Sequence, residues 1–153
     1  LATDNNRNDL KSLNMETQID NILKRSQLSV TGSRKKILEL FLATNGGALA
    51  HGDIEKKTGE KFDRVTVYRT LQTFLEKGII HSIPTADNSV RYAMCKENCA
   101  GGHHHDNHVH FICSACGNTT CLETVMIPEV RLPEGFQPEQ FQMVVTGVCK
   151  NCQ

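Results

Sequence analysis

Two Cys-x-x-Cys pairs, Cys113 with Cys116 and Cys149 with Cys152, constrain this chain more than any other feature. Two residues between thiols let both sulfurs reach one ion, and two such pairs complete a closed tetrahedral four-cysteine shell for a zinc cofactor. Gly117 follows the first pair and suits the tight turn of a knuckle. The 32 residues between the pairs exceed the spacing of a simple zinc ribbon, so a small β-rich unit must fold between them and be stapled by the metal. Val109 to Ile112, Asn118 to Leu122 and Gln142 to Val148 read as its strands. A four-thiolate shell leaves no open coordination position, so the expected role is structural.

The chain of 153 residues holds seven Cys and seven His. No stretch reads as an export signal and the cysteine count is odd, which favours metal over a disulfide framework. No apolar run approaches the roughly 20 residues of a membrane span. The expectation is a cytoplasmic protein without a membrane partner. At 39% hydrophobic and 22% charged residues, the composition excludes a largely disordered or collagen-like chain. Aromatics at 5%, with no Trp, imply modest aliphatic cores. The polar start predicts a disordered N-terminus over residues 1–15.

The net charge is zero but unevenly spread. Residues 1–92 hold 14 Lys/Arg and 11 Asp/Glu, whereas residues 93–153 hold 3 and 6. Within the basic part, Ile19, Ile22 and Leu23 give helical spacing from about Glu16 to Gln27. Thr31-Gly-Ser33 starts a second helix carrying Ile37, Leu38, Phe41 and Leu42, which ends at Gly46-Gly47. A short helix spans about Gly52 to Thr58, and Asp63 caps a longer one from Arg64 to Lys77. The period then changes to that of strands over Ile79 to Ile83 and Val90 to Met94. Helices followed by a hairpin is the order of a winged helix-turn-helix, whose last helix enters the DNA major groove. Arg64, Thr66, Tyr68, Arg69 and Thr73 carry cationic or hydrogen-bonding groups on that helix, suited to phosphates and guanine edges. The same pattern also fits a helical domain with a solvated polar face.

Of the remaining imidazoles and thiols, His108-Val-His110 is the sharpest signal, because residues i and i+2 of a strand share a face and both rings can meet one ion. The run His103 to His105 reads as a solvated loop.

Taken in order, Thr31-x-x-Arg34, Val65-Thr-Val-Tyr-Arg-Thr-Leu71, His108-x-His110-Phe-x-Cys113-x-x-Cys116-Gly117 and Gly147-x-Cys149-x-x-Cys152 resemble the ferric uptake regulator family of bacterial metal-sensing repressors. The resemblance implies an α+β fold: a winged-helix DNA-binding domain over 16–94, a hinge and His-rich loop over 95–107, and a small α/β dimerisation domain over 108–153. It adds Arg34 to the DNA-binding residues Arg64, Thr66, Tyr68 and Arg69. It also implies a homodimer on a double-stranded operator and a regulatory metal near the hinge.

Departures point to one branch. Iron- and peroxide-sensing members usually carry a His where Ala48 stands and acidic residues at the positions of Ala93 and Cys121. The chain is more similar to the zinc uptake regulators, which implies His81 and Cys95, with His108 and His110, as the regulatory ligands. Such a nitrogen and sulfur set favours zinc over iron or manganese as the second divalent metal. Cys121 or Glu123 stands as an additional ligand, and Cys99 is unassigned. Pro128 and Pro133 break the segment Leu122 to Gly135, where the family's dimerisation domain usually has a helix.

The expected function is metal-dependent repression of metal-homeostasis genes. The alternatives are an iron- or peroxide-responsive regulator of the same family, or a zinc-stapled partner-binding module without a switch. An enzyme acting on a small-molecule substrate is not expected, since neither H-E-x-x-H nor a zinc deaminase signature is present.

Overall fold

A computed structural model describes residues 4–86, 89–95, 108–139 and 141–153. Helix α1 (Asp4–Arg25) is followed by α2 (Gly32–Leu42), the two-residue strand β1 (Leu49–Ala50), α3 (His51–Thr58) and α4 (Arg64–Glu76). Strands β2 (Ile80–Pro84) and β3 (Val90–Met94) form the wing, and β4 (His108–Cys113), β5 (Thr119–Met126) and β6 (Met143–Gly147) form a second sheet. Helices and two sheets make an α+β fold, as the sequence predicts.

Residues 4–15 were expected to be disordered, but α1 runs back to Asp4. The helix is anchored by buried Ile19 and Leu23. No Gly or Pro lies between residues 4 and 18, so extending it costs little once the anchored turns exist. The apolar positions of α2, α3 and α4 converge as their spacing requires. Ile37, Leu38 and Phe41 meet Ile54 and Val67, Leu71 and Phe74 in one core, which Leu49, Ile79, Ile80 and Tyr92 close from the sheet side. The Thr31 hydroxyl accepts from the Arg34 amide at 3.4 Å, and the Asp63 carboxylate accepts from the Thr66 amide at 2.6 Å. These caps satisfy helix-end donors that have no partner within the helix.

The first sheet has the antiparallel order β1-β3-β2, with His81 opposite Ala93. In the second sheet β4 is central, antiparallel to β5 and parallel to β6. Among the described residues no helix lies between β5 and β6, in keeping with Pro128 and Pro133. The loop before α3 ties the winged-helix part to this sheet: the Ala48 amide donates to the Thr119 carbonyl at 3.1 Å, and Gly47 bridges Thr120.

Candidate metal centres and nucleic-acid face

The four knuckle cysteines come together at the ends of β4 and β6. Cys113 closes β4 opposite Gly147, and the Ser114 amide donates to the Gly147 carbonyl at 2.7 Å, which brings Cys149 alongside. Gly117, at φ +71°, turns the first knuckle. The ligand atoms of Cys113, Cys116, Cys149 and Cys152 all lie within 4.8 Å of one another. Zinc–sulfur bonds of about 2.3 Å put the sulfurs of a tetrahedron about 3.8 Å apart. Cys116 Sγ and Cys149 Sγ are separated by 3.9 Å. The donor set fits zinc.

The electrostatics agree. Amides of Cys116 and Cys149 donate to Cys113 Sγ at 3.5 and 3.3 Å and lower its thiol pKa to about 6. Cys152, hydrogen-bonded by the thiols of Cys149 and Cys116, is pushed up to about 12. A cluster with one ready thiolate and one strongly disfavoured one needs a cation to ionise fully.

A second group of donors spans the two sheets. His108 and His110 project from one face of β4, and Cys121 stands directly across from His110 on β5. His81 reaches them from β2 of the wing. One ligand atom from each of His81, His108, His110 and Cys121 lies within 4.8 Å of all the others. His81 and His110 are buried, and their Nε2 atoms are 3.0 Å apart. Cys121 Sγ lies 3.7 Å from His81 Nε2. Zinc–nitrogen bonds of about 2.0–2.1 Å give tetrahedral edges of about 3.3 Å between nitrogens and about 3.6 Å from nitrogen to sulfur. Three imidazoles and a thiolate at these separations suit zinc.

The resemblance implies His81, Cys95, His108 and His110 as ligands; the donors gathered here are His81, His108, His110 and Cys121. Cys121, the expected additional ligand, lies among the three histidines, and Cys95 lies beside His81. Cys95 Sγ lies 3.6 Å from Nδ1 of His81, on the edge of the ring away from the Nε2 that faces His110 and Cys121. Glu123 is exposed and stands outside the four-donor group. Cys99 and His103, His104 and His105 lie outside the described residues.

The residues expected to face DNA lie mostly on one side of α4. Arg64, Val65, Tyr68 and Arg69 are exposed, whereas Val67, Thr70, Leu71 and Phe74 face the core. At 54% exposure, Tyr68 is not a core residue. Thr66 is half-buried and bonded to Asp63 through its amide. Arg64 Nε lies 3.6 Å from Glu55 Oε1. Arg34 lies in α2, where its Nη1 donates to the Ser29 carbonyl at 2.8 Å and hydroxyl at 2.6 Å, bracing the α1–α2 turn. An open groove, which the sequence did not suggest, runs between α3, α4 and the wing; Arg64, Tyr68, His51 and Val90 help line it.

Residues 25–146 match the ferric uptake regulator family. The chain belongs to that family. Its members are metal-responsive transcriptional regulators. Among its relatives, the ferric uptake regulation protein of Bacillus subtilis (strain 168) is 31% identical over 109 residues, covering 67% of this chain and 70% of that protein. The ferric uptake regulation protein of Neisseria meningitidis serogroup A is 34% identical over 101 residues, covering 64% of this chain and 65% of that protein. A zinc uptake regulator solved in complex with zinc and DNA has the same fold, with a TM-score of 0.62 at 22% identity, covering 92% of this chain and 93% of that one. No helix among the described residues of this Fur-family chain is long and apolar enough to cross a membrane.

Proposed function

We propose that this Fur-family chain is a zinc-dependent, sequence-specific repressor that binds operator DNA as a cytoplasmic homodimer and controls metal-homeostasis genes. Cys113, Cys116, Cys149 and Cys152 hold a structural zinc. His81, His108, His110 and Cys121 hold the regulatory ion. The winged helix is residues 16–94, with 95–107 as the hinge and 108–153 as the dimerisation domain.

The observation that carries this reading is the split origin of the second donor group. His81 belongs to the wing, and the other three belong to the second sheet. Bound metal supplies a cross-link between them. Held at this junction, the wing and α4 keep a fixed angle to the second sheet, and in a dimer that angle sets the spacing of two α4 helices against two half-sites. Without the link, ordering the junction draws on the free energy of DNA binding, so metal and DNA favour the same state. Donor chemistry selects the metal: imidazoles and a thiolate suit zinc, whereas iron or manganese sites usually contain carboxylates. Tyr68 and Arg69, with Arg64 and Thr66, face the DNA, and Arg34 supports the domain from the α1–α2 turn.

The test is operator binding at buffered free Zn²⁺, Fe²⁺ and Mn²⁺. Zinc should activate binding at the lowest free concentration, with two ions bound per chain. His110→Ala should keep the four-cysteine zinc and lose the zinc response. Activation by Fe²⁺ in preference to zinc would overturn the metal assignment. One ion per chain with metal-independent DNA binding would overturn the switch.

A further inference from the structure

Glu55 of α3 meets two basic side chains beside the nucleic-acid face, one with each carboxylate oxygen. Oε1 lies 3.6 Å from Nε of Arg64, and Oε2 lies 3.5 Å from Nδ1 of His51, one helical turn earlier. The Glu55 side chain is 33% exposed and that of Arg64 83%, so the acid is set into the α3–α4 junction and the cation stands at the open groove beside the wing. Arg64 is the first residue of α4, where the aligned peptide dipoles disfavour a positive charge. The first turn of α4 carries no acidic residue, and Glu55 supplies the opposing charge from the neighbouring helix. An exposed pair of this kind adds little stability. Its consequence is geometric.

We infer, building on the DNA-binding reading proposed above, that Arg64 reads a guanine and that Glu55 is the positioning residue that aims it. A guanidinium presents its N–H donors in one fixed plane. Held at Nε, it keeps both Nη groups for another partner, and together they match the O6 and N7 acceptors of guanine in the major groove. The same pair works against the DNA backbone. A phosphate drawing Arg64 aside must break the Glu55 contact and bring its own negative charge near a carboxylate. Phosphate contacts carry no sequence information, so biasing Arg64 towards a base edge converts general attraction into a preference. His51, at the second oxygen, helps to hold the plane of the carboxylate.

The experiment selects bound duplexes from a randomised library with the zinc-loaded full chain, then ranks single-base variants of the selected site by competition. Wild type should prefer guanine at one position of each half-site. Arg64→Ala should lose that preference, a loss of about 5- to 150-fold, and keep the others. Glu55→Gln keeps the shape of the side chain and removes its charge. It should lose part of the preference at the same position, and bind random-sequence duplex more tightly with a salt slope steeper by up to about 0.9. In the Arg64→Ala background, adding Glu55→Gln should change no base preference. Wild-type preference at every position in Glu55→Gln would overturn the positioning role, as would a uniform weakening across all duplexes. A guanine preference that survives Arg64→Ala would overturn the base contact. A wild-type chain that selects no sequence would instead overturn the DNA-binding reading on which the inference rests.

Discussion

Replacing Cys149 with Ser should destabilise the second sheet far more than the winged helix. Among the described residues from 108 onward, only Val109, His110, Cys113 and Thr119 are buried within this chain. One aliphatic side chain, contributing about 1.5–3 kcal/mol, cannot offset the conformational entropy of ordering the surrounding strands. The cross-link supplies part of the difference, alongside the proposed dimer contact. Zinc at the knuckles closes a loop containing the 32 residues between Cys116 and Cys149. Chain-entropy arguments developed for disulfides give about 4 kcal/mol for a loop of that size. For a chain of this length, 1 kcal/mol moves the melting temperature by about 2–4 °C, so the expected drop is about 8–16 °C. Calorimetry on the zinc-loaded wild type and Cys149→Ser checks the drop. Amide hydrogen exchange checks its location, with protection lost in β4 and β6 and retained in α2 and α4. A variant that melts at the wild-type temperature with full zinc occupancy would refute the cross-link reasoning.

Three further outcomes test other parts of the molecule. Because Tyr68 and Arg69 are exposed on α4, Tyr68→Ala and Arg69→Ala should each weaken operator binding by about 1–3 kcal/mol with unchanged melting, measured by fluorescence anisotropy on folded variants. Phe74 is fully buried in the helical core, so Phe74→Ala should cost about 3–5 kcal/mol in denaturant unfolding. Asp63 has its pKa lowered from 3.8 by the bond from the Thr66 amide, so its cap on α4 is fully present above that value and is lost as pH falls through the folded pKa. Asp63→Asn keeps an acceptor that does not titrate, and should flatten the acid limb of a pH-dependent melting series.

The winged helix was legible because its signals are local. Thr31 and Asp63 cap the helices they precede, apolar residues recur at helical spacing, and Val90 to Met94 is the strand that its pattern predicts. The exceptions are elements whose cause is not local. Strand β1 is two residues long and exists only because Leu49 and Ala50 lie against Tyr92 and Arg91 of the wing. The first half of α1 has no apolar stripe of its own to announce it and grows from the anchored half.

The metal centres divide along the same line. Four cysteines in two tight pairs report their own convergence, since each pair is one turn of chain and strand pairing needs only to bring the turns together. His108 and His110 are likewise a local signal, two residues apart on one strand face. Choosing between Cys95 and Cys121 requires the register of β4 against β5, and spacing along the chain does not contain it. The unbroken pairing from Ile112–Thr119 to Val109–Leu122 puts Cys121 opposite His110, and a bulge beyond it sets His108 against Met126. Shifted by one residue, the same strand would present Leu122 to the histidines and turn Cys121 to the other face. Cys95 and Cys121 are about equally near to His81, at 3.6 and 3.7 Å, and they approach it at different ring nitrogens. The grouping of these four donors therefore follows from strand pairing, and a change that slipped β5 by one position should disperse the second group while leaving all four knuckle cysteines in place.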